Sequence, residues 1–106
     1  MKIYGFPLSN PSRFCFAVAE YLNVPYEPEV VDLIQEEQKS EEHKKRHPMG
    51  KVPVLEDADF KLFESVAIAR YICDNKAPGN TLYPTDLKVR AKVDEALGAI
   101  NDYRNV

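Results

Sequence analysis

The stretch that most constrains this chain is Met49-Gly50-Lys51-Val52-Pro53-Val54-Leu55-Glu56-Asp57, with Leu62-Phe63-Glu64-Ser65 close behind. A proline cannot donate to a sheet ladder, so Pro53 belongs at the first residue of a strand or on an edge. Residues 52–56 and 60–63 read as a hairpin around the short acidic turn Asp57-Ala58-Asp59. The hairpin feeds a helix over residues 64–76 that opens on Glu64-Ser65. A Glu-Ser pair at a helix start gathers a hydroxyl, a carboxylate and unpaired backbone N–H groups in one place.

The rest of the chain can be placed around that hairpin. Residues 2–6 (Lys-Ile-Tyr-Gly-Phe) read as a first strand, with Gly5 allowing close approach and Pro7 ending it. Ser9-Asn10-Pro11 is a helix start, with Pro11 suited to the first turn. Residues 11–22 are apolar nearly all round, which predicts a helix covered on two sides. Asn23-Val24-Pro25 breaks it. Residues 26–32 read as a second strand, with Pro28 limiting where it pairs. Residues 35–46 read as one polar helix, acidic early (Glu36, Glu37, Glu41, Glu42) and basic late (Lys44, Lys45, Arg46), an order that complements the helix dipole. After the linker Ala77-Pro78-Gly79-Asn80, residues 85–103 form a last helix capped by Thr85 or Asp86. Its apolar stripe is Val89, Val93, Leu97, Ile100 and Tyr103.

The order β-α-β-α-β-β-α, then a linker and one helix, predicts a two-layer α/β domain with a mixed sheet. Its apolar helices imply a covering layer, of which the sequence supplies one helix. At 106 residues and 44% hydrophobic, the chain has length for one core. A net charge of −3, from 14 basic and 17 acidic side chains, argues against a nucleic-acid scaffold. No apolar run approaches the roughly 20 residues needed to span a bilayer. The N-terminus lacks the long apolar segment of a secretory signal. Cys15 and Cys73 are far apart and make neither a CxxC pair nor a zinc spacing, so the expected setting is the cytosol and no metal is expected.

Ser9 after Tyr4-Gly5-Phe6-Pro7, His47-Pro48-Met49-Gly50-Lys51-Val52-Pro53, and Phe63-Glu64-Ser65-Val66-Ala67-Ile68 together resemble the N-terminal domain of cytosolic glutathione transferases. The resemblance is nearest to the serine-type classes phi, theta and delta, with phi slightly preferred. Leu82-Tyr83-Pro84 and Arg90-Ala91-Lys92-Val93-Asp94 resemble that family's passage into the first helix of its helical domain. The implied division is a thioredoxin-like, glutathione-binding domain over residues 1–77, a linker over 78–84, and over 85–106 the first helix of an otherwise missing helical domain. The implied fold is a mixed four-stranded sheet with flanking helices, with Pro53 as a cis-proline.

The resemblance also implies roles. Val52 would pair its backbone N–H and C=O with the cysteinyl part of glutathione, as an added strand does. Ser65 and the helix N–H groups suit the γ-glutamyl carboxylate, and Glu64 its ammonium. Lys51, with Lys39, would meet the glycine carboxylate. Ser9 would donate a hydrogen bond to the glutathione sulfur and favour thiolate over thiol, with Ser12 as its rival at the helix opening. The implied activity is glutathione conjugation to small electrophiles, the chemistry of detoxification. The alternative is a non-catalytic interaction module or inactive fragment. Apolar helix surface predicts self-association or capture of partner helices, the family's usual state being a dimer.

Several residues carry blander readings. Taken alone, Ser9 or Ser65 is a helix cap. Cys15 lies among apolar side chains and reads as an inert core thiol. Tyr4, on the first strand, reads as core. His43 and His47 flank Lys44-Lys45-Arg46 and read as a solvated helix end; the family commonly has asparagine at the position of His47.

Overall fold

The computed structural model describes residues 1–104, with side chains through residue 100. Strands β1 (Lys2–Gly5), β2 (Glu27–Val30), β3 (Val54–Asp57) and β4 (Phe60–Phe63) form one sheet in the order β2-β1-β3-β4. β1 runs parallel to β2 and antiparallel to β3, and β3 is antiparallel to β4. This is the mixed, thioredoxin-like arrangement expected.

The central strands are apolar because both faces are covered. Ile3 of β1 and Val54 and Leu55 of β3 are fully buried. β2 is an edge, which explains how it tolerates Pro28. The Glu27 N–H reaches the Met1 carbonyl and the Val31 N–H the Gly5 carbonyl, both at 2.9 Å. By alternation along the strand, the position of Pro28 faces outward, where no ladder donor is lost.

Helix α1 (Asn10–Tyr21) lays Cys15, Val18 and Ala19 on a core that includes Ile3, Leu55, Ile68 and Ile72. The expected helix over 64–76 divides into α3 (Ser65–Tyr71) and a π-helical turn, Ile72–Lys76. Residues 35–46 do not form one helix. A 3-10 turn (Glu37–Lys39) is followed by Ser40 in extended conformation, and Ser40 then caps the short α2 (Glu41–Arg46), its Oγ accepting from the His43 N–H at 3.1 Å. A serine with a free N-terminus ahead of it satisfies an orphan donor that a continuous helix would not leave.

Helix α4 (Leu87–Arg104) starts at Asp86, whose Oδ1 accepts from the Val89 N–H at 3.0 Å, so Asp86 and not Thr85 is the cap. The stripe is only half used. Val93 packs partly against the core, whereas Val89 and Ile100 are 47% and 62% exposed; the Tyr103 side chain lies outside the described residues, as do residues 105 and 106. Polar pins hold α4 instead. Tyr83 is buried, and its hydroxyl donates to Asp94 Oδ1 at 2.9 Å. Arg70 reaches the same oxygen at 2.8 Å. Arg90 lies 3.8 Å from the Tyr83 ring and forks onto Asp74 at 2.7 and 3.1 Å. The connecting segment is tied rather than loose: the Asn80 side chain donates to the Cys73 and Ala77 carbonyls at 2.8 Å and accepts from the Tyr83 N–H at 2.7 Å.

Candidate functional site

Register alone brings three separated segments to one end of the sheet. Tyr4, at the close of β1, pairs with Val54, at the opening of β3, and Val54 also pairs with Phe63, at the close of β4. Ser9 follows β1, Val52 and Pro53 precede β3, and Glu64 and Ser65 follow β4. All five therefore gather beyond the same edge of the central strands.

At the α1 side, Ser9 is the N-cap in extended conformation. Its Oγ accepts from the Ser12 N–H at 3.3 Å and from the Ser12 hydroxyl at 3.1 Å. Ser12 Oγ in turn accepts from the Phe6 N–H at 3.2 Å. Ser12 is 0% exposed, while Ser9 is half-buried. Only Ser9 of the two has surface to meet a ligand. Ser12 fits because Gly5 has no side chain: a Cβ there would lie 2.9 Å from both Ser12 Cβ and Ser12 Oγ.

The Val52–Pro53 peptide is cis. Sheet pairing starts at Val54, two residues later than the sequence predicts, so the Val52 peptide groups take no part in the ladder. Pro53 is buried and Val52 half-buried. Lys51 is exposed, and its carbonyl is held from below by His43 Nε2 at 2.6 Å.

His43 corrects the reading of a solvated helix end. It is 1% exposed, on the inner face of α2, and His47, the extended residue that ends that helix, is 3% exposed. An imidazole giving its Nε2–H to a carbonyl has an acceptor left at Nδ1, and Arg46 donates there at 3.2 Å. The same guanidinium lies 4.1 Å from the Tyr4 ring, which is half-buried rather than core. His47 stacks near Phe63, centroids 4.2 Å apart, and its Nδ1 accepts from the Met49 N–H at 3.2 Å. Burial, and then the neighbouring His43, hold the His47 pKa below the ordinary imidazole value. Both were masked in the sequence by the lysines and arginine between them.

Glu64 is exposed and sits at φ 80°, ψ 116°, a backbone region that L-residues rarely occupy. Such strain persists where surrounding structure imposes it, and it clusters at ligand clamps. Ser65 is buried, and its carbonyl accepts from Cys15 Sγ at 3.5 Å. Burial pushes the Cys15 thiol up to about 12, so it stays protonated and structural. Lys39 is exposed and bonded to Glu36 at 3.0 Å. Its turn lies close to the Lys51 loop, since a Cβ on Gly50 would meet the Gln38 carbonyl at 2.7 Å. Among the described residues no group of three or more His, Cys, Asp or Glu is placed to hold a metal ion, and no helix is long and apolar enough to cross a membrane.

Comparison with known proteins agrees with this fold. Residues 1–74 match the family described as glutathione S-transferase, N-terminal domain. The chain is 39% identical over 97 residues to human (Homo sapiens) glutathione S-transferase theta-1, covering 92% of this chain and 40% of that protein. Among solved structures, a diazinon-metabolizing glutathione S-transferase of the silkworm Bombyx mori superposes with a TM-score of 0.88 at 38% identity, over 91% of this chain and 47% of that one. A glutathione transferase homologue of Drosophila mojavensis with bound glutathione gives 0.84 at 39% identity, over 89% and 43%. The chain thus spans about two-fifths of the length of the curated relatives it matches.

Proposed function

The chain belongs to the glutathione S-transferase family through its N-terminal domain, and from that premise we propose that it binds glutathione, stabilises the thiolate through Ser9 and conjugates it to small electrophiles. The observation that carries the proposal is Ser9, half-buried at the meeting point of three chain segments with its oxygen already held by Ser12. Glutathione would lie extended across the end of the sheet. Its cysteinyl peptide would pair with the free peptide groups of Val52 beside Pro53. Its γ-glutamyl end would meet the Ser65 hydroxyl and the Glu64 carboxylate, and its glycine carboxylate Lys51, with Lys39 at the margin.

The thiol is weakly acidic and reacts as thiolate. A hydrogen bond to a charged group contributes about 1.5–3 kcal/mol net. At 1.36 kcal/mol per unit, one from Ser9 would lower a thiol pKa near 8.5 by roughly one to two units. The sulfur then attacks an electrophilic carbon and the leaving group departs with its electron pair. The proposed division is a glutathione-binding unit over 1–77, a connecting segment over 78–84 and, from residue 85 on, a segment that carries helix α4 (Leu87–Arg104). Two free, buried cysteines suit a reducing, cytosolic setting.

A second reading, a glutathione-transferase-like interaction module, draws on one observation. Phe14, Val18, Leu82, Tyr83, Val93 and Leu97 line an apolar cavity of about 180 Å³ between α1 and α4, a seam that partner helices or a second copy would cover. The test is the rate of glutathione conjugation to an aryl halide near neutral pH, with Ser9→Ala beside it. A protein-dependent rate that Ser9→Ala lowers, with glutathione binding largely spared, supports the enzyme. Glutathione binding without any rate favours the module.

A further inference from the structure

Ser12 has no surface to meet a ligand, yet its hydroxyl makes two hydrogen bonds within the first turn of α1 and its approach. A hydroxyl has one proton to give and two lone pairs to receive with. The Phe6 N–H can only donate, so it occupies a lone pair of Ser12 Oγ. Fully buried, Ser12 has Ser9 Oγ, at 3.1 Å, as the acceptor for its proton. The Ser12 N–H adds a second donor to that oxygen at 3.3 Å. Both lone pairs of Ser9 are then filled, and its own proton is the only hydrogen-bonding capacity it has left.

We infer that Ser12 is a positioning residue: it fills the acceptor side of Ser9 so that this hydroxyl can act toward a bound sulfur only as a donor. The inference rests on the reading of Ser9 proposed above. Two consequences separate it from plain packing. A hydroxyl that is accepting is a better donor, because chained hydrogen bonds polarise one another. A filled acceptor side also selects one staggered orientation. The chain of donors runs from the β1 end through Phe6 N–H, Ser12 Oγ and Ser9 Oγ toward the sulfur. Gly5 is what lets Ser12 sit close enough to complete it.

The experiment is a pH titration of the thiolate absorbance of glutathione bound to the whole chain, for Ser12→Ala, Ser12→Cys, Ser9→Ala and the double Ser9→Ala/Ser12→Ala. Affinity for S-methylglutathione, which has no thiol, is read alongside. Ser12→Ala is expected to raise the bound thiol pKa by about half a unit, the logarithm of a roughly threefold loss of orientation among staggered rotamers. Ser12→Cys keeps the shape with a weaker donor and should move it less, in the same direction. S-methylglutathione affinity should stay within about twofold, since a mere packing defect would act on both ligands alike. The double variant should match Ser9→Ala alone. An unchanged thiol pKa in Ser12→Ala, while Ser9→Ala raises it, overturns the role of Ser12 and leaves that of Ser9 standing. Additive shifts in the double variant overturn it too. No shift in Ser9→Ala defeats the parent reading instead. Should Ser12→Ala not fold, Ser12→Cys carries the test, and an unchanged pKa there overturns the inference.

Discussion

The two flanks of the candidate site are built in opposite ways. On the α1 flank, Ser12 and Cys15 are fully buried and joined by hydrogen bonds to Phe6, Ser9 and Ser65. On the α2 flank, most of residues 35–46 are exposed, and one buried imidazole, His43, joins the helix to the Lys51 carbonyl. In the function proposed, the rigid flank is where a proton must be aimed at a sulfur. The thin flank is where a carboxylate needs only positive charge nearby, a requirement that falls off slowly with distance and tolerates motion. Precision is concentrated where the chemistry is directional.

The largest effect should come from breaking the rigid flank. Gly5→Ala drives a methyl group to within 2.9 Å of Ser12 and 3.0 Å of Phe16. It should cost about 2–3 kcal/mol, as overpacking does, read as a lower urea midpoint. An unchanged midpoint would mean that this flank yields as easily as the other.

His43→Ala tests the thin flank at its buried hydrogen bond to the Lys51 loop. It leaves the Lys51 carbonyl without its donor and opens a void, so a loss of about 2 kcal/mol is expected. His43→Gln, which keeps an N–H in reach, should recover part of it. A cost no greater than that of an exposed substitution would show that α2 is held by something else.

Glu64→Gln removes charge without removing shape. Glutathione affinity by calorimetry should fall about tenfold, the worth of roughly 1.4 kcal/mol. The bound thiol pKa should not move; a shift would make the two flanks one electrostatic unit.

Stability at the end of α2 should also depend on pH. His47 has a depressed pKa when folded, chiefly from burial. The unfolded chain takes up the proton first, near the ordinary value of about 6.5. Below that pH the unfolded state binds more protons, so stability falls as pH drops toward the folded value and is constant above the window. The urea midpoint of the parent should decline through this range, and His47→Asn should flatten the decline. Equal slopes in both proteins would remove His47 from the account. Smallest of all, Lys39→Ala should alter stability by no more than about 0.5 kcal/mol, because its partner Glu36 is exposed as well. A larger change in denaturation would mean the thin flank is less thin than it looks.

Much of this was legible in the residues, and unevenly. Proline and glycine punctuation marked the first three strands, because those residues limit backbone conformation wherever they stand, and the acidic turn Asp57-Ala58-Asp59 marked the fourth. The polar segment over 35–46 was misread because charge order along it mimics one helix, whereas Ser40 followed by Glu41 and Glu42 is itself a helix start. His43 and His47 were hidden by their cationic neighbours. Glu64 at positive φ, and the filling of Ser9 by Ser12, depend on tertiary contacts and left no mark in composition or period. The roles assigned to Ser9, Lys39, Lys51, Val52, Pro53, Glu64 and Ser65 came from resemblance; the structure adds the gathering of Ser9, Val52, Pro53, Glu64 and Ser65 at one sheet end, and the approach of the Lys39 turn to the Lys51 loop.

The proline on β2 has a bearing on how such a chain behaves in concentrated solution. Its outward position withholds a backbone donor from the open edge of the sheet, and Glu27 and Glu29 flank it with like charge. A strand from another molecule therefore finds neither a complete ladder nor a neutral surface on which to grow. Pro28→Val would restore the donor and raise β-propensity at once. The expected outcome is fibril-prone refolding, visible as rising light scatter at concentrations where the parent stays clear; scatter equal to the parent's would show that the edge is guarded by its glutamates alone.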